Sequence, residues 1–239
     1  MSEGISHTHF EREVSASRIQ SLTAQRMLLS KRTKPCFYIE ALADVTELMS
    51  MRHSLKRAYG VKITTNAFYI EAMGRAAARF ALMVGRLQGD VIRIADSVNV
   101  GFAVNAPHGL VVPVIKDVED KRLREIAVFE QELTAKARSN RLSLADLDGE
   151  TIALSNLGVY AVDSFIAIVP PRATSILAVG NPYREAVFSG NRFFERRKVS
   201  LTVAADARIV TYDYAAGFLA CVVGLLENPQ RLVPNDNGV

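Results

Sequence analysis

Residues 201–218 read LTVAADARIVTYDYAAGF, and this stretch decides how the rest of the chain is interpreted. An apolar run leads into Asp206-Ala207-Arg208, which indicates a strand that ends in a polar turn. The small and apolar residues that follow, Ala215–Leu226, indicate a buried helix. Ala207 stands between two charged residues. Its methyl group cannot accept a proton, so any chemistry that needs a base there has to be explained without one.

The composition limits the class of protein. The chain has 239 residues, 49% of them hydrophobic, which fits one large domain or two small ones. Its net charge of +4 is spread over scattered basic residues. This distribution is not the concentrated basic stripe that nucleic acid binding requires, and it fits either a solvated surface or a rim around an anionic cofactor such as a CoA.

The cysteine usage and the hydropathy predict a compartment. Cys36 and Cys221 lie far apart without metal-ligand spacing, so we expect free thiols in a reducing cytoplasm. His7 and His9 fall in a polar segment without periodicity, and we expect no metal site. No apolar run reaches transmembrane length, and the N-terminus lacks a signal-peptide core. We therefore expect a cytoplasmic protein with no membrane or nucleic acid partner.

Helices and strands are interspersed without a regular βαβ repeat, which favours an α+β domain. The most regular helix is predicted over residues 122–139, with Leu123, Ile126 and Leu133 among its inward residues. We predict an N-terminal arm at 1–14, one domain at 15–234 and a tail at 235–239. The other predicted elements are a helix capped by Ser17 with Ile19, Leu22 and Leu29 on one side, a strand at 36–45, a helix capped by Thr46 and closed by Gly60, a helix from Thr65 to Val84, strands Val91–Ala95, Val98–Val104 and Leu110–Ile115, and a hairpin at 188–193.

The Asp206 segment resembles the C-terminal signature of the 2-oxo acid dehydrogenase (lipoamide) acyltransferases, relatives of chloramphenicol acetyltransferase, whose pattern is Asp-His-Arg-x-x-Asp-Gly. The resemblance covers about residues 15–233. Further matches in the same order are Ser17-Arg18-Ile19 through Arg26-Met27, Phe102-Ala103-Val104, Gly109–Val114, Leu133–Arg138, Leu142, Thr151–Gly158, Pro170-Pro171, Ile176–Gly180 and Glu227-Asn228-Pro229.

This resemblance implies a chloramphenicol acetyltransferase-like mixed sheet with flanking helices, assembled as a homotrimer or a larger homo-oligomer with active sites between subunits. The acyl donor would be acetyl-CoA or a similar thioester, and the acceptor a small-molecule hydroxyl or thiol. The family's histidine deprotonates the acceptor, since a thiol or alcohol attacks a thioester only after it loses its proton. A serine of the neighbouring subunit donates a hydrogen bond to the oxyanion, an interaction that contributes about 3 kcal/mol.

The resemblance assigns catalytic and substrate-side positions residue by residue. Ala207 occupies the histidine position, Thr211 the second aspartate and Tyr212 the glycine, while Ser155 is the oxyanion donor. The aspartate would pair with an N-terminal arginine such as Arg18. Asp206, Arg208 and Asp213 complete the catalytic set, and the expected substrate-side residues are Asn156, Gly109, Leu110, His108 and Tyr212.

Several of these residues have a second explanation. Ser155 and Asn156 also suit a turn. Asp213 either replaces the carboxylate lost at Thr211 or caps the last helix. Tyr212 and Tyr214 either reshape the acceptor pocket or simply pack. His108 is expected in a surface loop beside Gly109, and His53 on an exposed helix face.

Ala207 itself has three explanations. It is an engineered removal of the base, the mark of a natural non-catalytic relative that serves as a scaffold in a dehydrogenase complex, or a residue of an active enzyme whose acceptor is acidic enough to need no imidazole. No lipoylation turn is recognisable in the sequence. The resemblance therefore points to the free-standing members that acetylate a tetronate hydroxyl in antibiotic biosynthesis, and an excised catalytic domain is the alternative.

Overall fold

The computed structural model describes residues 14–107, 109–190 and 192–233. His7, His9, His108, residues 1–13 of the predicted arm and the tail 235–239 lie outside these residues. The described chain forms one mixed seven-stranded sheet, two small hairpin sheets and five α-helices. The predicted α+β class is confirmed. The helices are α1 (Arg18–Thr33), α2 (Thr46–Tyr59), α3 (Thr65–Arg79), α4 (Leu123–Arg138) and α5 (Tyr212–Glu227).

The large sheet has the strand order β1-β11-β9-β8-β4-β7, with β10 also paired to β11. Parallel pairing joins β4 to β8 and β8 to β9, and the remaining pairs are antiparallel. The strands of this sheet are β1 (Cys36–Asp44), β4 (Val100–Phe102), β7 (Val114–Ile115), β8 (Ile152–Asn156), β9 (Ser175–Val179), β10 (Tyr183–Ser189) and β11 (Arg192–Asp206). The small sheets are formed by β2 (Gly85–Gln88) with β3 (Val91–Ile94), and by β5 (Val104–Ala106) with β6 (Gly109–Val111).

The two faces of the large sheet have different neighbours. Alternate residues of a strand point to opposite faces. Leu154 and Val203 therefore enter the main core with the helices, whereas Ala153 and Ala204 join a smaller cluster under the segment that carries Val169. The main core holds the largest buried side chains of α3 and α5, including Phe68 and Phe218. This two-sided packing fixes the register of the sheet, because a slip of one residue would exchange the faces.

Several sequence predictions need correction in detail. The helix predicted from Thr65 to Val84 ends at Arg79 and continues as a short 3-10 helix, Ala81–Val84, because the Phe80 backbone is not helical. The stretch 98–104 is divided between β4 and β5, and the stretch 110–115 between β6 and β7. Thr46 does not cap α2. It is the first helical residue, and its hydroxyl binds the Asp44 carboxylate.

Helix α1 differs from its prediction in burial. The Ser17 cap is confirmed, with its side chain accepting from the Gln20 backbone in a capping box. However, Leu22 and Leu29 are about half exposed, at 51% and 54%, and only Ser30 of the helix is buried. By contrast, the inward residues predicted for α4 are all buried. The apolar side of α1 is therefore not covered by the residues that the structure describes.

Glu71 is a fully buried carboxylate inside α3. It accepts a hydrogen bond from Arg75, one turn later, while its second oxygen has no partner among the described residues. Burial raises the pKa of Glu71 to about 7, although Arg75 acts in the opposite direction. The folded chain thus holds this proton more tightly than the unfolded chain does.

We predict that the Glu71 contribution to stability is fully present below about pH 4.5 and is lost as the pH rises through about 7. A pKa difference of this size corresponds to about 3 kcal/mol of unfolding free energy. Denaturant unfolding between pH 4 and 8 should show this loss in the native sequence and its absence in Glu71→Gln. The exposed Glu132→Gln serves as the control and should follow the native sequence. Equal pH dependence in the native sequence and Glu71→Gln would contradict the prediction.

Candidate active site

A cavity of about 590 Å³ lies between the ends of α3 and α5, and a larger one of about 730 Å³ lies beside the end of β8. The larger cavity holds the predicted oxyanion donor, Ser155, with Asn156 and Leu110. Its other walls are formed by the N-terminal end of α3, the β4–β5 connection and the C-terminal half of α4. Arg138 of α4 brings a positive charge to its lining. We call this space the β8 cavity.

Ser155 is half-buried at the fourth position of β8. Its backbone is fixed by the parallel pairing with β9, opposite Ala178. Among the described residues its hydroxyl makes no hydrogen bond, although it lines the cavity. A hydroxyl is a donor that rotates to suit its partner. Ser155 therefore presents a free donor on a rigid strand.

Asn156, the next residue, is already occupied by contacts within the fold. Its amide nitrogen donates to the Asn66 side chain at 2.7 Å, and its oxygen accepts from the Gly158 backbone at 2.8 Å. A side chain at Gly158 would collide with that oxygen and with the Gly180 carbonyl, both 2.9 Å from a Cβ there. The turn-forming explanation thus holds for Asn156, whereas Ser155 takes no part in the turn.

The wall formed by α3 and α4 contains a buried polar cluster. The Thr64 hydroxyl donates to Glu130 at 2.7 Å and also caps α3 by accepting from the Ala67 backbone. Burial raises the pKa of Glu130, while hydrogen bonds from Thr64 and Asn66 lower it. Sequence analysis did not identify Thr64, Asn66 or Glu130. The only local signal was a threonine at a helix start, since the contacts join distant segments.

Ala207 lies in a tight turn at the end of β11. Its backbone N–H donates to the Pro35 carbonyl at 2.9 Å, and the Ile209 and Val210 N–H groups both donate to the Asp206 carbonyl. Asp206 is buried, and its carboxylate accepts two bonds from the Arg208 guanidinium at 2.9 and 2.6 Å and one from the Arg208 backbone. The Asp206 contact raises the pKa of Arg208 further. The turn is therefore held without any contribution from the Ala207 side chain, which is exposed.

A lysine and a cysteine lie beside this turn. Lys34 donates to the carbonyls of Pro170 and Ala173, and burial lowers its pKa to about 8. Cys36 faces Asp206 across the β1–β11 ladder, and burial followed by the Asp206 charge raises the pKa of its thiol.

The residues after the turn start α5. Thr211 is the N-cap, but its side chain makes no capping hydrogen bond. Of the two explanations for Asp213, the one that makes it the helix cap is wrong, since Asp213 lies in the first turn of α5. The pKa of Asp213 is lowered by hydrogen bonds from the Thr211 side chain and from backbone N–H groups. Tyr212 is 64% exposed and stacks on Phe37, with ring centroids 4.1 Å apart.

The structure also shows the surroundings of Tyr214, Gly109 and His53. Tyr214 is a packing residue, because its hydroxyl accepts the Leu82 N–H and its ring meets Phe80 edge-on. Gly109 adopts φ +131° and lies with Arg18 in a separate groove at the start of α1. His53 is exposed, as predicted.

Ser155 and Ala207 do not meet within one chain. Ser155 is level with Ala178 and, across the next ladder, with Thr202. Asp206 lies four residues further along β11, about 13 Å away at ~3.3 Å per residue, and two strand spacings add about 10 Å sideways. None of residues 206–213 lines the β8 cavity. The predicted oxyanion donor and the predicted base position, which we call the two half-sites, are therefore separate within one chain.

Two classes of site are not seen in the parts of the chain that the structure describes. No set of three or more histidine, cysteine and acidic side chains is placed to hold a metal ion. In the same residues, no helix combines the length and apolar character needed to cross a bilayer.

The comparisons with known proteins place this fold in a class, that of acyltransferases built on a mixed sheet. The family model for the 2-oxoacid dehydrogenases acyltransferase (catalytic domain) matches residues 8–233, and the chain belongs to this family. It is 30% identical over 221 residues to the dihydrolipoyllysine-residue acetyltransferase component of the pyruvate dehydrogenase complex of Rickettsia bellii, covering 91% of this chain and 53% of the relative. It is 32% identical to the mitochondrial pyruvate dehydrogenase protein X component of Mus musculus, covering 92% and 45%. The chain thus spans about half the length of these curated relatives.

Solved structures agree with the fold. The dihydrolipoamide acetyltransferase of Azotobacter vinelandii, from a study of a serine, a histidine and an asparagine in its catalytic mechanism, matches with a TM-score of 0.89 at 28% identity over 97% of this chain and 99% of that one. The cubic core of a pyruvate dehydrogenase multienzyme complex gives the same values. A chloramphenicol acetyltransferase matches at 0.56 with 13% identity, covering 84% and 94% of the two chains, which supports the fold alone. The predicted family and fold are confirmed. The relatives described here are not tetronate acetyltransferases, so that finer assignment gains no support.

We predict that Asp206→Asn loosens the turn that carries residue 207. Asparagine keeps the size of the side chain but loses the charge that accepts the Arg208 fork, and its amide N–H₂ faces the guanidinium. Because the Arg208 side chain is 38% exposed, we expect a loss of about 1–2 kcal/mol in unfolding free energy rather than the full value of a buried pair. Urea denaturation measures it, with the exposed turn residue Asp90→Asn as control. A change no larger than in the control would show that the pair does not hold the turn.

Proposed function

We propose that this chain is an acyltransferase core domain that holds an acyl thioester in the β8 cavity and transfers the acyl group between CoA and a dihydrolipoyl thiol. The observation that carries the proposal is the unpartnered Ser155 hydroxyl on the cavity wall. A preorganised donor at the reacting carbonyl stabilises the tetrahedral intermediate. The names of the curated relatives supply the dihydrolipoyl acceptor, and Arg138 provides a charge suited to the phosphates of CoA.

The spacing of the site residues supports the Ser155 assignment. In the Azotobacter vinelandii enzyme the studied serine precedes the histidine by 52 residues, and the asparagine follows the histidine by four. The same separations lead from Ser155 to Ala207 and from Ala207 to Thr211. The proposed roles are therefore oxyanion donor for Ser155 and base position for Ala207.

In the proposed reaction the acceptor sulfur attacks the thioester carbonyl of acyl-CoA. The C–S bond to the acceptor forms, the carbonyl electrons move to oxygen, and Ser155 donates a hydrogen bond to that oxyanion. Collapse of the intermediate expels the CoA thiolate, which takes up a proton. An imidazole at 207 would remove the acceptor proton. With Ala207 that proton goes to solvent, so turnover depends on the fraction of acceptor already ionised.

The proposed site needs two copies of the chain. Ser155 and the 207 turn are separated by about four residues along β11 and by two strand spacings, well beyond the hydrogen-bond reach that proton transfer requires. Helix α1 leaves apolar surface uncovered at Leu22, Leu28 and Leu29, as does the segment with Ile166 and Ile168. Uncovered apolar surface of this kind is typical of subunit contacts. We propose a homotrimer or a larger assembly that buries this surface and joins the two half-sites.

A second candidate is a structural component of a dehydrogenase complex. It is favoured by the combined changes at Ala207, Thr211 and Tyr212, which remove the expected base, carboxylate and glycine together. The similarity to the mouse protein X component points the same way. Binding of CoA by a small free oligomer favours the enzyme, whereas a large assembly without CoA affinity favours the scaffold. Transfer to a tetronate hydroxyl remains a further proposal, carried only by the altered residues near 207.

We predict that Ala207→His increases acetyl transfer from acetyl-CoA to dihydrolipoamide at least about a hundredfold, the usual effect of a positioned base. The turn is fixed by its backbone and by Asp206 and Arg208, so we expect it to keep its conformation when a histidine replaces Ala207. Ala207→Asn is the matched control, since it adds a polar side chain of similar reach that is not a base. No gain over Ala207→Asn, with CoA binding shown by calorimetry, would reject the assignment of position 207.

Ser155→Ala in the Ala207→His background tests the other half-site. We expect kcat to fall about a hundredfold to a thousandfold while CoA affinity changes little, because the lost bond acts on the oxyanion. Ser143→Ala is the matched control, because Ser143 is exposed in the loop after α4 and does not line the β8 cavity. Unchanged turnover in Ser155→Ala would remove Ser155 from the mechanism.

A further inference from the structure

The smaller cavity, between the C-terminal ends of α3 and α5, has a composition that the acyltransferase proposal does not use. It measures about 590 Å³ and shares no lining residue with the β8 cavity. Its lining includes three arginines and no carboxylate: Arg75, Arg79 and Arg231. We call it the arginine pocket. Asn66 and Arg79 lie 13 residues apart on α3, so the helix places the pocket about 20 Å from the β8 cavity at ~1.5 Å per residue.

The three arginines are not equally free. Arg75 is paired with Glu71 at 2.5 Å and also donates to the Arg231 carbonyl. The Arg79 guanidinium donates a hydrogen bond to the Cys221 sulfur at 3.7 Å. Among the described residues, neither Arg79 nor Arg231 has a carboxylate partner. Two arginines that line the pocket therefore have no carboxylate among the described residues to compensate their charge.

The rest of the lining is apolar. The Phe80 ring and Leu225 form part of it, together with Ala220 and two glycines of α5. A side chain at Gly217 would meet the Phe80 ring at 2.9 Å, so helix and ring are in close contact there. A Cβ at Gly224 would meet nothing within 4 Å, because it would point into open space.

We propose that the arginine pocket binds a small amphipathic carboxylate. Its carboxylate would be held by Arg79 and Arg231, whose planar donors match the two oxygens, and its aliphatic part would lie against Phe80 and Leu225. The two arginines favour an anionic ligand, and the apolar lining around Phe80 and Leu225 favours a hydrocarbon group attached to that anion. A bare inorganic anion would leave that lining in water.

The test uses hexanoate as the probe, with 1-hexanol and inorganic phosphate for comparison, and follows binding to the full chain by calorimetry and ligand-observed NMR. We expect saturable binding of hexanoate, and at least tenfold weaker binding of hexanol and phosphate. Arg79→Met and Arg231→Met should each weaken hexanoate binding about tenfold or more. Arg57→Met removes the same charge from an exposed position outside the pocket and should bind as the native sequence does.

Gly224→Leu provides an independent arm, because it fills the pocket from a position with free space and keeps every arginine. It should abolish hexanoate binding and leave CoA binding at the β8 cavity unchanged. Equal affinity for phosphate or for hexanol would overturn the proposal, as would binding that survives Gly224→Leu. A change of oligomeric state in Gly224→Leu by sedimentation would also overturn it, since the pocket would then be a contact between copies of the chain.

Discussion

Strand β11 pairs with β1 along nine residues and with β9 along five, and its N-terminal half also pairs with β10. This ladder sets the positions of the residues on which the proposed function depends. At one end it delivers the Asp206–Arg208 turn, and through β9 it fixes the height of β8 and therefore of Ser155. Because strand geometry is stiff, the distance between the two half-sites is a property of the sheet. No rearrangement of side chains within one chain closes it.

Two neighbouring residues of the β8 cavity have different roles. The Asn156 amide is hydrogen-bonded to Asn66 and to the turn at Gly158, and these bonds hold the end of β8 in place. The Ser155 hydroxyl makes no hydrogen bond to any residue that the structure describes. A group that is rigidly placed and yet unsatisfied is what a reaction with developing negative charge needs, since no protein contact has to break when the charge appears.

Sequence reasoning succeeded where the information is local. The inward face of α4 follows from a 3.6-residue period, and the ordered motifs from Ser17 to Pro229 led to the correct family and fold. It failed where one segment depends on a distant one. Asn66 and Asn156 are 90 residues apart, and the Glu130 contact to Thr64 spans 66. No local period encodes such pairs. The exposure of Leu22 and Leu29 was missed for a related reason, because an apolar helix face reads the same whether its own chain or another one covers it.

The turn at 207 keeps its shape through backbone hydrogen bonds and the Asp206–Arg208 pair, none of which uses the residue's own side chain. Folding and chemistry are therefore uncoupled at this position. A substitution at position 207 leaves these contacts in place, so selection for a stable protein has little to act on and only selection for the proposed turnover distinguishes one side chain from another. The same independence allows a base to be gained or lost at position 207 while the fold around it stays intact.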